Sequence, residues 1–521
     1  MTLVSGVNAD FCYSDRSMNT EPEDFSQQQL EANIKGILEW LALAHGRTGA
    51  EDADQLLRQL MSLRDAPVPA NQRIKLLDML YAHAERIVFA ELPQLQQISL
   101  PVSRKLRQRI KTIIDLLATL TQDYFNTLAD LFDPRGTNPL RPPHLSLRRA
   151  MYSIAWQIQV NYLVAAPTSA GLWQQLHGAF RTARRLGLDE FPGPKGSASV
   201  RRVYTDILLA AIAQPASFSA AELNFIREYI EQNPLSVELL DAPPLEGKGV
   251  FWVDLDKDFS PHALVRRLPA ADARALYFSC DALAEGAARH RAELKKGIPA
   301  TVLGLPEFAE TTAGHGVLRR LVALWGNPAK RKFPRRRQTY RANLCLGLNN
   351  LWRLIKNPET PVVASEWMVT NESPDGFALM HMSGVTEALR IGDIVALQAM
   401  DDRAEATPIW HICITRWVVS ENPEHIELGL ELLAPRAIAA EIAQPRDLTS
   451  GRTAALLLPE TPPLHPTESL VLPSGTLKEN SGRIVVMVEG KNLEIREVRT
   501  TQLNEQSSSI EVFSVATDDS P

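Results

Sequence analysis

Apolar residues recur at steps of three and four through most of the first 240 residues, the spacing that gathers them on one face of an α-helix. Leu30, Ile34, Ile37, Leu38 and Leu41 share such a face, and Ser26 with Gln29 has capping-box spacing ahead of them. Leu106, Ile110, Ile113, Leu117, Leu120, Tyr124, Leu128 and Leu131 make a longer stripe, which predicts a helix of about seven turns. The same pattern predicts helices around 51–64, 71–90, 146–165, 170–186, 199–213 and 219–233, broken by Pro- and Gly-rich points such as 191–196. Short connections favour antiparallel pairs stacked as a bundle or a solenoid, although no 34-residue repeat is present. The exposed face of such a scaffold is expected to bind a protein partner or a second copy of the chain.

After Pro243 and Pro244 the pattern changes. Val250 to Val253 and Ala275 to Phe278 read as short buried strands, while 263–268, 282–296 and 316–325 read as helices, giving a small α/β segment. Beyond about 330 the period falls to two, with alternating runs at Leu389–Leu397, Ile409–Val419 and Ile426–Leu432. Further strands are expected at 454–458, 469–472, 483–488, 493–498 and 510–515, ahead of an acidic tail with Asp518 and Asp519. The fold class is therefore multidomain α+β.

Composition narrows the functional classes. With 45% hydrophobic and 22% charged residues and a net charge of −6, the chain offers no global attraction to nucleic acid or anionic lipid. Cys12, Cys280, Cys345 and Cys413 are far apart and form no CxxC pair, which argues against a zinc site or a disulfide framework and for a reducing cytoplasm. The N-terminus lacks the pattern of a signal peptide. Residues 150–180 carry no Lys, Arg, Asp or Glu, but Gln157, Gln159, Asn161 and Pro167 interrupt them, so buried helices are expected there and no membrane span.

No nucleophile elbow, Walker A loop, GxGxxG or HExxH is present, and the eleven histidines are scattered. His381 and His411 fall in strands, where a structural role is expected. The reading is of a protein that is not an enzyme. Asp254, Asp256 and Asp258 follow an apolar strand, where they could hold magnesium as in a haloacid-dehalogenase-like phosphatase. The partner residues such chemistry needs are not placed, and a solvated turn is the plainer expectation.

From Asn327 the chain turns basic: Lys330, Arg331, Lys332, Arg335, Arg336, Arg337 and Arg341 are seven cations in 12 residues. A guanidinium fork donates two hydrogen bonds at once to phosphate, or to guanine O6 and N7. A guanine-containing phosphodiester therefore suits such a cluster. Arg337 to Arg341 forms RxxxR, and Asn371 to Gly376 forms NxSxxG, beginning 30 residues after Arg341. Together, over about 330–445, these motifs resemble the PilZ family, whose signatures are RxxxR followed some 20 to 30 residues on by D/NxSxxG.

The resemblance implies an antiparallel β-barrel followed by a short helix from about Pro435 to Ala443, and cyclic di-GMP as ligand. Arg335 to Arg341 would be a loop ahead of the first strand, with Arg336, Arg337 and Arg341 gripping phosphates and guanine edges. Asn371 and Ser373 would hydrogen-bond guanine or tie down the turn, and Gly376 would permit close backbone approach or positive φ. Trp325 is close enough in sequence to feel the loop become ordered.

The expected organisation is a lead-in at 1–24, an α-helical region at 25–242, the α/β segment at 243–328, a PilZ-type barrel at 329–444, and a β-rich extension and tail at 445–521. No metal or cofactor is expected beyond the nucleotide ligand. The helical region would pass the binding event to a protein partner. Two alternatives stay open: a barrel that has lost its ligand and serves as an interaction scaffold, and nucleic-acid binding through the basic run, the less favoured because the acidic remainder repels a long polyanion.

Overall fold

In the computed structural model, the described residues are 34–43, 50–66, 68–95, 102–131, 143–233, 237–330, 333–359, 361–386, 389–400, 409–422, 425–443, 451–462, 466–477, 483–489 and 492–517. The expected capping box at Ser26 and Gln29 lies outside them, as do Arg331 and Lys332. Helix α1 covers 34–43. It is followed by α2 (Ala50–Asp65), α3 (Ala70–Leu95), α4 (Arg104–Leu131), α5 (Pro143–Leu163), α6 (Leu172–Arg185), α7 (Val200–Ile212) and α8 (Ala220–Gln232).

Two cores meet on α5. Leu147, Met151, Ile154 and Ile158 join the core of α6, α7 and α8, while Ala150, Trp156, Val160 and Leu163 join that of α1 to α4. A helix covered on two sides cannot carry charges cheaply, which is why the first half of the charge-free stretch is a buried helix. Among the described residues no helix is long and apolar enough to cross a membrane.

The α/β segment holds strands β1 (Val250–Asp254), β2 (His262–Ala263) and β3 (Ala275–Ser279), then α9 (Asp281–Lys295) and α10 (Thr312–Gly326). The helix expected over 263–268 is instead the short strand β2 and a turn. All five residues of β1 are buried, as befits the central strand of the order β2-β1-β3. Phe251, Val253, Phe278 and Trp325 share one core with Phe180, Tyr204 and Tyr229 of the helical region. The composition break at Pro243 therefore does not divide the core.

The rest of the chain forms two closed barrels. The first comprises β4 (Arg336–Leu346), β5 (Ala364–Ser373), β6 (Gly376–Ser383), β7 (Ile394–Ala399), β8 (His411–Asn422) and β9 (His425–Ala434), with α11 (Leu348–Lys356) inserted after β4. The second comprises β10 (Ile438–Ala443), β11 (Thr453–Leu458), β12 (Ser469–Pro473), β13 (Arg483–Glu489), β14 (Leu493–Gln506) and β15 (Ile510–Thr517). The segment 438–443, expected as a helix, is thus the first strand of the second barrel. Its pairing with both β11 and β13 overrides the helical propensity of an Ala-rich run. What reads as a β-rich extension is a complete barrel.

Helix α11 is wedged between the barrels. Leu348, Leu351 and Leu354 pack with Ile394, Ile412 and Ile414 of the first and with Leu456, Leu458, Val471 and Ile510 of the second. Trp352 Nε1 donates to Ala440 O at 2.8 Å. The helical region touches the first barrel at Ser420, whose Oγ accepts from Arg107 Nη2 at 2.9 Å and whose N–H donates to Ala165 O at 2.8 Å.

Candidate ligand site on the middle barrel

The first barrel brings most of the expected residues to one end. Arg336 pairs with Glu372 and Arg337 with Asn371 across β4 and β5, and a bulge separates these pairs from Tyr340 and Arg341. The arginines therefore belong to the strand, not to a preceding loop. The ladder that fixes Arg341 to Leu346 continues across the bulge to Arg336. Arg336 and Arg337 are exposed. Arg341 lies farther along, opposite Met368, with Nη1 at 3.1 Å from Glu366 Oε1 and its side chain 61% exposed.

Ser373 and Gly376 close the β5–β6 hairpin as a register pair, with Pro374 and Asp375 in the turn. Ser373 Oγ lies 2.7 Å from Asp375 Oδ1 and 3.2 Å from Gly376 O, so its hydroxyl holds the turn. A Cβ on Gly376 would come within 2.2 Å of Leu430 O. Glycine is required here by the close approach of β9, the first of its two expected roles.

Asn371 differs in kind. Its Oδ1 is buried and has no hydrogen-bond partner among the described residues. Leaving such an acceptor unsatisfied costs about 1–3 kcal/mol, so most buried polar atoms are paired. An N–H donor arriving beside Arg337 would remove that cost.

Glu372, the next residue, accepts from Tyr340 Oη at 2.8 Å and Gln338 Nε2 at 3.3 Å. Burial first, then the Glu372 carboxylate, pushes the Tyr340 pKa up. His411, stacked on Phe377 with ring centroids 5.9 Å apart, is held below the usual histidine range by burial, against the pull of Glu372. These groups plug the barrel end.

The hairpin turn is also tied to distant parts of the molecule. Leu432 N donates to Asp375 O at 2.9 Å, and Gly376 pairs with Glu431. Glu431 bonds Arg416 at 2.7 Å, Arg416 bonds Glu505 of β14 at 2.7 Å, and Glu505 bonds Arg319 of α10 at 2.9 Å. Arg320 beside it pairs with Glu222 of α8. Burial works against the Arg416 charge, but Glu431 and Glu505 outweigh it and raise its pKa. Burial would likewise raise the Glu505 pKa, yet Arg416 and Arg319 hold it below the usual range. Sequence reasoning missed these residues because a single Arg in a strand carries no mark of a partner 89 positions away, the separation of Arg416 and Glu505.

The three acids at the end of β1 and just after it have structural roles. Asp254 Oδ1 accepts from the Asp256 N–H at 3.1 Å, Asp256 pairs with Arg181, and Asp258 accepts from Gly171 N at 2.6 Å and Gln174 N at 3.2 Å at the start of α6. Among the described residues no group of His, Cys, Asp and Glu is arranged to hold a metal ion. Trp325 is fully buried and stacks on Tyr229 at 6.2 Å, so it packs in the helical core and not against the arginines.

Comparison with known proteins finds family matches in the helical region and in both barrels, none of them over residues 244–352. Residues 35–243 match the family model described as the N-terminal domain of the cyclic-di-GMP receptor FimW, residues 353–438 its middle PilZ domain, and residues 438–517 its C-terminal β-barrel domain. The chain is 21% identical to the cyclic-di-GMP receptor FimW of Pseudomonas aeruginosa, over 94% of this chain and 91% of that protein. Asn371, Ser373 and Gly376 lie inside the matched PilZ segment, while Arg336, Arg337 and Arg341 precede it.

Proposed function

The middle barrel belongs to the PilZ family, and from that premise we propose that the chain is a cyclic di-GMP-binding regulator whose helical region passes the binding event to a protein partner. The nucleotide would lie across the β4–β5 end of the barrel. Arg336 and Arg337 supply charge-assisted bonds to phosphate or to guanine O6 and N7, and Arg341 adds a cation farther along β4. Asn371 Oδ1 accepts from a guanine N–H. Ser373 and Gly376 keep the turn in place.

The observation that carries this reading is the buried Asn371 Oδ1, without a hydrogen-bond partner among the described residues and in register with an exposed arginine. Transmission is supported by the charged chain from Glu431 through Arg416, Glu505 and Arg319, which begins one strand from the ligand turn and ends on α10. Buried and unpaired Cys280, Cys345 and Cys413 suit action in the cytoplasm.

A second reading has its own support. Ser373 is already bonded within the turn and Arg341 already faces Glu366, as they would in a scaffold that binds no nucleotide. Calorimetry of the full chain with cyclic di-GMP, GMP and cyclic di-AMP separates the two. Saturable binding of cyclic di-GMP in preference to the others, weakened at least tenfold by Asn371→Ala, is expected. Absence of any binding by the unmodified chain would leave the scaffold reading.

A further inference from the structure

One stripe of α5 is left over once its two cores are assigned. Met151, Ile154 and Ile158 face one core, and Ala150, Trp156 and Val160 the other. Tyr152, Ala155, Gln159 and Tyr162 are only half-buried, and steps of three and four set them on one face of the helix. The part-exposed face of a helix ordinarily carries charge. This one lies in the run from 150 to 180 that has no Lys, Arg, Asp or Glu. Burial in two cores explains the other faces of α5 and does not explain this one.

The stripe is one wall of a cavity of about 120 Å³ between α5, α7 and α8. Tyr152, Trp156 and Tyr162 make this wall aromatic, while Ile207 of α7 with Leu223 and Ile226 of α8 make the others aliphatic. An apolar lining with a few placed polar groups, set between helices, is the make-up of a small-molecule site. The charged residues of the lining are engaged with neighbours: Asp206 is ion-paired with Arg202 at 2.8 Å, and Arg227 with Glu231 at 2.7 Å. Tyr162 differs. It lines the cavity, its hydroxyl has no hydrogen-bond partner among the described residues, and burial alone raises its pKa.

We propose that this cavity binds a small neutral aromatic molecule carrying one hydrogen-bonding group, with its ring against Tyr152 and Trp156 and its polar atom on the Tyr162 hydroxyl. Size selects a single ring, since an apolar protein cavity of about 150 Å³ takes benzene. Charge selects a neutral molecule, because an ion among these side chains would be buried without a free counter-charge. A tyrosine hydroxyl both donates and accepts, so Tyr162 orients the ring and accepts more than one kind of polar group. The site lies wholly within the helical region and stands apart from the nucleotide reading above.

The test is a titration of the full chain with phenol, toluene and benzoate, followed on the ligand signals by NMR. Phenol should saturate one site per chain, and benzoate at the same concentrations should not displace it. Tyr162→Phe should weaken phenol about two- to tenfold, the range for loss of one neutral hydrogen bond, and leave toluene unweakened. Ala210→Trp, which fills the cavity from the half-buried Ala210 of α7, should abolish phenol binding while the chain still melts cooperatively. If that variant does not fold, Ala155→Phe fills the same space from α5 and decides. Absence of saturable phenol binding, unchanged binding in the filled variant, or displacement by benzoate would overturn the proposal. So would a Tyr162→Phe chain that binds phenol as before or loses phenol and toluene equally.

Discussion

The two barrels of this molecule have one topology and two chemistries. In each, the strands are neighbours in the order first, second, third, sixth, fifth, fourth: β4-β5-β6-β9-β8-β7 and β10-β11-β12-β15-β14-β13. Both interiors are packed mainly with aliphatic side chains, the first also with the fully buried Trp367. The difference is at the strand ends. The first barrel opens β4 with Arg336 and Arg337 and joins β5 to β6 by a tight Pro374-Asp375 turn. The second opens β10 with Ile438, Ala439 and Ala440 and joins β11 to β12 through ten intervening residues, 459–468. A barrel is thus a frame on which a site is or is not built. The second is spent on contact, setting β14 against α10 and its outer face against α11.

That division of labour can be broken most severely at its joint. Arg416→Ala removes the cation that Glu431 and Glu505 share, leaving Glu505 with Arg319 and the 43% exposed Glu431 with solvent. The expected loss is about 1.5–3 kcal/mol, read as a fall in denaturant midpoint by circular dichroism. Arg416→Met, with Glu505→Gln to relieve the remaining charge, should recover part of it. If Arg416→Ala melts like the unmodified chain, the barrels are not held together by this network.

Next in size is the contrast between equivalent charges. Arg337→Ala should weaken cyclic di-GMP binding about ten- to hundredfold, because a hydrogen bond to a charged group contributes about 1.5–3 kcal/mol. Arg452→Ala, on the second barrel, should change binding less than twofold. Equal effects from both, erased by salt, would mean the first barrel offers a basic surface and no site. Ser373→Ala should cost less, about 0.5–1.5 kcal/mol of stability, since it loses neutral bonds inside the turn. A larger loss of affinity than of stability would show the hydroxyl contacting ligand.

The smallest expected effect is acid weakening of the joint. The Glu505 carboxyl is held below its usual range by Arg416 and Arg319. Its contribution is therefore complete above the unfolded value of about 4.3 and is lost as pH falls through the lower folded value. Replacing Glu505 with Gln should lower stability near neutrality, where the carboxylate's contribution is complete, and flatten the stability profile in that interval. A slope that stays the same in the variant would assign the acid sensitivity elsewhere.

Much of this arrangement is legible in the sequence, and the part that is not has a common cause. Three- and four-residue periodicity marks α4 and α5, and alternation marks β8 and β9, because each reports burial of one face by local neighbours. The hairpin motif from Asn371 to Gly376 is legible because a turn is local. The α11 insertion, the strand β10 and the network joining Arg416 to Glu505 are not, since each depends on what another part of the chain brings against it. Arg337 shows both sides: its identity marks it as an anion ligand, while its place in a strand follows from Asn371, 34 positions away.

Hydrogen exchange of the full chain, with and without cyclic di-GMP, tests the central claim most directly. The account predicts slowed exchange centred on 336–341 and 371–378, extending to 431–432, with a smaller change in α10 and none in β11 or β12. Unchanged exchange across 336–341 and 371–378 at saturating nucleotide, or protection confined to the second barrel, would contradict it.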